Sequence, residues 1–337
     1  MSKIRTISID IMGGDFDPYV SIEALKRYLL KKQKQDTSYL LFGNLNMLKS
    51  SDISMLESKG CKFIHTDQKI SSQDLPTAII RNKETSMYMA IAAVAEGRAD
   101  AVMSSGNTGA LVVLSKLLLK TFKSIKRPAI CSLVPSESNC SAMVDMGANP
   151  NQDIAQMLSY ADMGSLFITS VFGILEPKVG LLNIGEEEIK GSDFVKKTHE
   201  LIEKTPLTFG KYIGYVEPAD IFAGKCHVTI TDGFTGNIYI KTAESTSSMI
   251  KKVITSVFRS NIFTKLAYKF LIERKLMAAF KKNSKSGFNG ALLAGLKSIC
   301  IKSHGSSSAD GVMNAIKVTE NAVDAALHKK MQSIFER

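Results

Sequence analysis

The chain has 337 residues, 45% of them hydrophobic and 22% charged, and its 43 Lys and Arg outnumber 32 Asp and Glu to leave a formal charge of +11. That apolar content excludes an intrinsically disordered chain, and 23 Gly with 8 Pro exclude a collagen-like or low-complexity one. The length lies between one large α/β domain and two ordinary ones.

From the amino terminus, short β-branched or aliphatic runs alternate with helical stretches. The runs Thr6–Ile11, Tyr39–Phe42, Ala101–Ser104, Ile130–Val134, Ala142–Asp145, Val179–Ile184, Val228–Thr231 and Ser298–Ile301 read as strands. Between them, Tyr19–Gln33, Thr85–Glu96, Ala110–Lys120, Asp153–Thr169, Asp193–Lys204, Thr235–Phe258 and Ala309–Leu327 read as helices. This alternation predicts an α/β fold, a mostly parallel sheet with helices on both faces. No fixed-period repeat, low-complexity tract or Pro/Ser-rich linker breaks it, so the parse is one domain over residues 1–337.

The opening MSKIRTISID enters a strand-like run at once, too short and polar for a signal peptide, and no later stretch supplies the roughly 18 apolar residues of a membrane span. A cytoplasmic protein is the expectation. The five cysteines (Cys61, Cys131, Cys140, Cys226, Cys300) are scattered, with no C-x-x-C pair, and read as buried small hydrophobes in a reducing compartment.

The positive charge is unevenly placed. Between Met249 and Lys285 ten cations, among them Lys251, Lys252, Arg259, Lys265, Lys269, Arg274 and Lys275, face one acid, Glu273. Apolar residues recur there at three-and-four spacing, so residues 245–286 read as a basic amphipathic helical segment. Such a segment suits an anionic membrane surface or an acidic protein partner, and the alternative is a core-packing helix with a solvated lysine face. With no nucleic-acid motif and the rest of the chain near neutral, a nucleic-acid partner is not expected.

Six strand candidates end in loops of similar chemistry: MGGD (Met12–Asp15), SGNTG (Ser105–Gly109), DMGAN (Asp145–Asn149), NIGEEE (Asn183–Glu188), DGFTGN (Asp232–Asn237) and HGSSS (His304–Ser308). Glycines let the backbone approach a ligand, and small polar residues before a helix present N–H groups and the positive end of a dipole to an anion. In an open parallel sheet the carboxyl ends of strands flank the ligand crevice, so these loops are expected to converge there. One such loop is ordinary turn chemistry, whereas six form a pattern. The chain lacks a P-loop, a G-x-G-x-x-G fingerprint, an H-E-x-x-H zinc motif and a G-x-S-x-G elbow. No metal or cofactor is expected.

Taken in order, ISIDIMGGDFDP, SSGNTGALVVL, VDMGANP, LLNIGEEEIKGSDFVK, GYVEPADIFAGK, TDGFTGNIYIKTAE and IKSHGSSSADGVMNAI resemble segments of the phosphate acyltransferase family of bacterial phospholipid synthesis, the PlsX family. The resemblance runs nearly end to end, and NIGEEE followed by KG with DGF-x-GN downstream is its most specific part. The family commonly has a small residue where this chain has Asp17, and Ser136–Cys140 is more polar than the family pattern. The resemblance implies an isocitrate-dehydrogenase-like or phosphotransacetylase-like three-layer α/β/α sandwich. It also implies transfer of a long-chain fatty acyl group from acyl carrier protein to inorganic phosphate, giving an acyl phosphate for a membrane glycerol-3-phosphate acyltransferase. A homodimer attached peripherally to the membrane is implied too, which turns the basic segment, Lys251 to Lys275, into an expected contact for membrane or carrier protein.

Phosphate arrives anionic at neutral pH, so placement of the anion and stabilisation of the tetrahedral oxyanion matter more than a strong base. The departing thiol has a pKa near 8.5, about that of a free thiol, so an acid or fixed cation would assist it. His304, Lys190 and Lys241 are the candidates, with Asn237 as a neutral oxyanion donor. For His304 the other reading is a cap of its own loop, and for Lys190 an ion pair with Glu186 or Glu187. The binding set comprises Gly13, Gly14, Asp15, Ser105, Gly106, Asn107, Thr108, Asn149, Asn183, Gly185, Glu186, Asp232, Gly233, Gly236, Gly305 and Ser306. Its carboxylates would repel phosphate and are expected to orient amides and lysines instead. The rival functions are a phosphotransacetylase-type enzyme using a short acyl-CoA and a membrane scaffold without catalysis.

Overall fold

A computed structural model of the chain describes residues 4–32, 36–71, 73–74, 76–137, 141–258, 268 and 289–336. The first half runs β1 (Arg5–Asp10), α1 (Tyr19–Lys31), β2 (Thr37–Gly43), α2 (Ser50–Glu57), β3 (Cys61–His65), α3 (Pro76–Arg81), α4 (Ser86–Ala95), β4 (Ala101–Ser104), α5 (Thr108–Leu119), β5 (Ala129–Val134) and β6 (Ser141–Val144). The second half runs α6 (Ile154–Phe172), β7 (Lys178–Leu182), α7 (Asp193–Lys204), β8 (Lys211–Val216), α8 (Pro218–Ala223), β9 (Val228–Ile230) and α9 (Gly233–Phe258). After it come β10 (Ala291–Ala294), β11 (Ile299–Lys302), α10 (Ala309–Asp324) and α11 (Leu327–Phe335).

Eleven strands form one sheet in the order β3-β2-β1-β4-β11-β10-β5-β6-β9-β7-β8. Two parallel blocks, β3 to β11 and β6 to β8, flank the antiparallel contacts β11/β10, β10/β5 and β5/β6. Three successive reversals make the blocks run in opposite senses. The sheet is therefore mostly parallel, as the alternation predicts, but the carboxyl ends of its strands do not share one rim. The strands between are short, and the register Ala291↔Lys302 and Cys131↔Val144 brings the end of β11 and the end of β6 close to the same central strands.

Both faces of the sheet are covered. Ala101 and Met103 face one core with Ile7, Ile9 and Leu41, while Val102 faces the other with Leu111, Ile130 and Cys300. Full burial of an aliphatic or aromatic side chain stabilises by about 1.5–3 kcal/mol, which is why parallel strands here read as continuous apolar runs. Cys61, Cys131, Cys226 and Cys300 are free and buried, and Cys140 lies outside the described residues.

Three strands have no counterpart in the predicted elements. β3 and β8 are edge strands interrupted by the exposed residues Lys62, His65 and Lys211, and β8 contains Gly214. β10 reads Ala-Leu-Leu-Ala, a helix-favouring string that is a strand because β5 and β11 enclose it. The predicted helix Ala309–Leu327 ends at Asp324, and Ala326, with φ 50°, redirects the chain into α11.

Beyond its first turns α9 leaves the core: Met249, Ile250, Val253 and Val257 are exposed, beside exposed Lys251 and Lys252. Its described outer half is thus not a core-packing helix. Arg259, Lys265, Lys269, Arg274 and Lys275 lie outside the described residues. Among the described residues no helix is long and apolar enough to cross a membrane.

At the amino end of the first block, buried Glu320 of α10 accepts from Tyr28 Oη (2.9 Å), Lys32 Nζ (2.9 Å) and Tyr39 Oη, tying α1, β2 and α10 together. Removing Glu320 from this buried cluster leaves both tyrosine hydroxyls without their acceptor and Lys32 with Asp36 (2.8 Å) in its place. Glu320→Ala is expected to lower the unfolding free energy by about 3 kcal/mol, read as a lower midpoint in urea denaturation.

Candidate active site

The first wall of the site is built on Asp10, at the end of β1. Its buried carboxylate accepts from Ser86 Oγ (2.7 Å), Ser104 Oγ (2.7 Å) and the Met12 N–H (3.1 Å), while burial pushes the carboxyl upward. Around it three loops pack backbone to backbone: a Cβ on Gly13 would lie 2.5 Å from Gly106 N, and the Asp15 N–H donates to Gly305 O at 2.9 Å. Only glycine permits the first approach. Asp17 accepts from the Gly14 N–H (2.8 Å) and the Ser21 N–H (3.1 Å), and burial pushes its carboxyl up to about 6. The departure at this position thus has a structural use, fixing the turn to α1. Asn107 caps α5 by accepting from the Ala110 N–H at 2.9 Å.

The second wall depends on Asp145, which follows β6. Its buried carboxylate accepts from the N–H groups of Ile130 (2.9 Å), Gly147 (3.2 Å), Ala148 (3.1 Å) and Asn149 (2.7 Å), and from Asn149 Nδ2 (3.0 Å) and Gln152 Nε2 (3.3 Å). Burial pushes this carboxyl upward, and the donors pull against that shift. Asn149 Nδ2 also donates to Pro128 O (2.8 Å), so its amide is used in holding the loop. Asp232 caps α9 through the Thr235 N–H (2.9 Å) and Thr235 Oγ1 (2.6 Å), and the Gly233 N–H donates to Asn149 O (3.0 Å). A Cβ on Gly236 would come within 2.0 Å of Asp145 O, so α9 begins directly against this loop. Asn237, Lys241 and Glu244 then follow on successive turns of one helix face.

Between the walls lies a cavity of ≈ 300 Å³. Asn237, Lys241 and Glu244 line one side, Lys302, Ser303 and His304 another, and Thr108 marks the start of α5. Ile130, Met146 and Ile240 supply an apolar surface. Asn289 shapes the loop after β11, donating to Ser303 Oγ (2.8 Å) and Ser307 Oγ (3.1 Å) and accepting from the His304 N–H (3.0 Å). His304 Nε2 stands 3.6 Å from Glu244 Oε1, an ion-pair distance once the ring is protonated. Lys302 is enclosed, and burial pushes its ammonium down to about 8 despite attraction to Asp10 and Asp15. The site offers two ammonium groups, an imidazole beside a carboxylate, amide donors and an apolar side, which suits an anion reacting with an uncharged acyl group.

His304, Lys241, Asn237 and Thr108 are thus brought together. Gly13, Gly14, Asp15, Ser105, Gly106, Asn107 and Gly305 form the adjoining loops, and exposed Ser306 follows. Asn149, Asp232, Gly233 and Gly236 act as scaffold. The NIGEEE loop does not line this cavity. Asn183 Nδ2 donates to Gly185 O (3.0 Å), Lys190 pairs with Glu187 (2.8 Å) on an exposed surface, and Glu186 is engaged by Lys225. Several lining residues were absent from the sequence-derived set, among them the polar groups of Lys302, Glu244 and Asn289. For Lys302 a signal existed, a lysine ending the buried run Ile-Cys-Ile at a central strand's carboxyl end. Among the described residues no group of acidic, Cys or His side chains could hold a metal ion.

A family model described as "Fatty acid synthesis protein" matches residues 5–330. The chain is 40% identical to the phosphate acyltransferase of Moritella marina, over 98% of each chain, and 36% identical to that of Pelagibacter ubique, over 99% of each. Among solved structures, its fold is similar to a phosphotransacetylase from Streptococcus pyogenes (TM-score 0.56, 16% identity, 97% of this chain and 95% of that one). The EutD phosphotransacetylase from Staphylococcus aureus is similar too (TM-score 0.55, 15% identity, 95% and 94%). At that identity the likeness concerns the α/β fold alone, which is the one expected. With glycine loops, cations and an imidazole gathered at one cavity and relatives of this identity over its full length, the chain belongs to the phosphate acyltransferase family and is an acyltransferase.

Proposed function

We propose that the enzyme transfers a long-chain fatty acyl group from acyl carrier protein to inorganic phosphate, forming an acyl phosphate for phospholipid synthesis. The observation that carries this reading is the single cavity on which Lys241, His304 and Asn237 converge with the glycine loops. A phosphate oxygen attacks the thioester carbonyl, the tetrahedral oxyanion collapses, and the carbon–sulfur bond breaks as the thiolate takes up a proton. Asn237 and backbone N–H groups are suited to the oxyanion. His304, protonated and facing Glu244, is suited to deliver the proton to sulfur, with Glu244 as a positioning residue. The apolar side at Ile130, Met146 and Ile240 takes the first carbons of the acyl chain.

The outer half of α9 extends this reading to partners. Lys251 and Lys252 beside Met249, Ile250, Val253 and Val257 suit the acidic carrier protein or an anionic membrane surface, where the product is passed to a membrane glycerol-3-phosphate acyltransferase. The exposed apolar residues also suit a homodimer.

Thiol release from palmitoyl acyl carrier protein tests the reaction. Release that requires phosphate, with an acyl phosphate trapped by hydroxylamine, is the expected result; turnover of acetyl-CoA alone would point to a phosphotransacetylase, and inactivity on both to a scaffold. His304→Ala is expected to lower kcat by about 10²-fold or more, the ordinary loss for a general acid. Glu244→Gln, which keeps size and removes charge, is expected to cost about tenfold in kcat with little change in KM for either substrate, read in steady-state assays. Lys251→Glu with Lys252→Glu is expected to raise KM for the carrier-linked substrate and leave KM for phosphate unchanged.

A further inference from the structure

Lys302 differs from two other half-buried lysines of the chain, Lys26 and Lys32. Lys32 has Glu320 at 2.9 Å and Lys26 has Asp52 at 2.7 Å. Among the described residues the Lys302 ammonium meets only main-chain carbonyl oxygens, those of Ser303 and of Ser105 (3.5 Å). The nearest buried carboxylate, Asp10, is occupied by Ser86, Ser104 and the Met12 N–H. A largely desolvated ammonium without an ion-pair partner is costly to the fold. Its position, in register with Ser104 at the centre of the sheet and on the cavity wall, gives that cost a use.

A second observation lies beside it. Ser105, whose carbonyl Lys302 touches, carries a buried hydroxyl with no hydrogen-bond partner among the described residues, three positions before α5. The twelve residues of α5 present their positive end there, and Thr108 in its first turn lines the cavity. An ammonium that meets no carboxylate among the described residues, an unpaired hydroxyl and a helix amino end in one place are suited to hold an anion. Lys241 approaches from the other wall, so two cations bracket the space.

We propose that Lys302 is the residue that binds the attacking phosphate, holding it against the start of α5 while Lys241 faces it from α9. The assignment rests on phosphate being the acceptor, as proposed above. It deepens that reading by placing the acceptor on the β11 and α5 side of the cavity and the acyl carbonyl toward Asn237. It also sets the sign of a pH effect. Below about 8 the ammonium is charged and phosphate is attracted; as pH rises through that value the free enzyme loses the charge, so kcat/KM for phosphate falls.

The test compares wild type with Lys302→Met and Lys302→Arg in the full-length protein. Inorganic phosphate is expected to raise the melting temperature of wild type, and calorimetric titration to show its binding; both responses should be lost in Lys302→Met and partly kept in Lys302→Arg. In the thiol-release assay Lys302→Met is expected to raise KM for phosphate by about 10²-fold, with KM for the acyl donor unchanged and the fall of kcat/KM above pH 8 abolished. Without phosphate, Lys302→Met should melt higher than wild type, because it removes a desolvated charge that no carboxylate among the described residues contacts directly, whereas a merely structural lysine would melt lower. Equal phosphate binding by wild type and Lys302→Met, or binding by neither, would overturn the proposal. Phosphate binding that depends on Lys302, in a protein that releases no thiol, would leave this site standing and remove the acyl-transfer reading.

Discussion

The arrangement of this protein turns on the Asp145 carboxylate, which among the described residues has no cationic partner and is held by six N–H donors. A buried carboxylate is tolerated only when its lone pairs are occupied, and here the donors come from β5, from the loop itself and from the start of the following segment. That network makes the turn after β6 rigid. Gly236 rests on the Asp145 carbonyl, so the rigid turn fixes the path of α9, and α9 carries Asn237, Lys241 and Glu244 into the cavity. Asp10 does the same for the opposite wall, where it holds α4 and β4 beneath the glycine loops.

The two walls belong to parallel blocks of opposite sense, and the antiparallel strands between them are four to six residues long. Loops that a single parallel sheet would place along one rim therefore meet across the sheet's middle. The cavity takes Thr108, Lys302 and His304 from the loops of one block, and Gly147, Asn237, Lys241 and Glu244 from the other. This division suits a two-substrate reaction, since an anion and an uncharged acyl group need different surroundings at a short distance from one another.

Charge is distributed with the same economy. The carboxylates of Asp10, Asp145 and Glu244 are engaged by amides, hydroxyls or His304, so that Lys241 and Lys302 provide positive potential there. Exposed lysines of the NIGEEE region are neutralised by their neighbours, Lys190 by Glu187 and Lys225 by Glu186. The specific string that marks the family in the sequence is thus apart from the cavity, and its Asn183 holds its own loop closed through Gly185 and Lys190.

Much of the fold was legible because local patterns carry it. Strands β4 and β5 and helices α4 and α7 appear within a residue or two of their sequence limits, since each is a clear apolar run or amphipathic period bounded by caps. The loop glycines and His304 were legible as well, for residue type at a strand end is a local property. What escaped was whatever depends on neighbours distant in sequence. β10 is a strand only because it lies between β5 and β11, Glu244 meets His304 sixty positions away, and Lys302 contacts no carboxylate among the described residues because that of Asp10 already has its donors. The sequence by itself determined the α/β class, the family and the chemistry of the loops, because periodicity and short motifs are written in consecutive residues. Only the tertiary structure decided which loops meet and which charges stay uncompensated, because burial and pairing are properties of the packed chain.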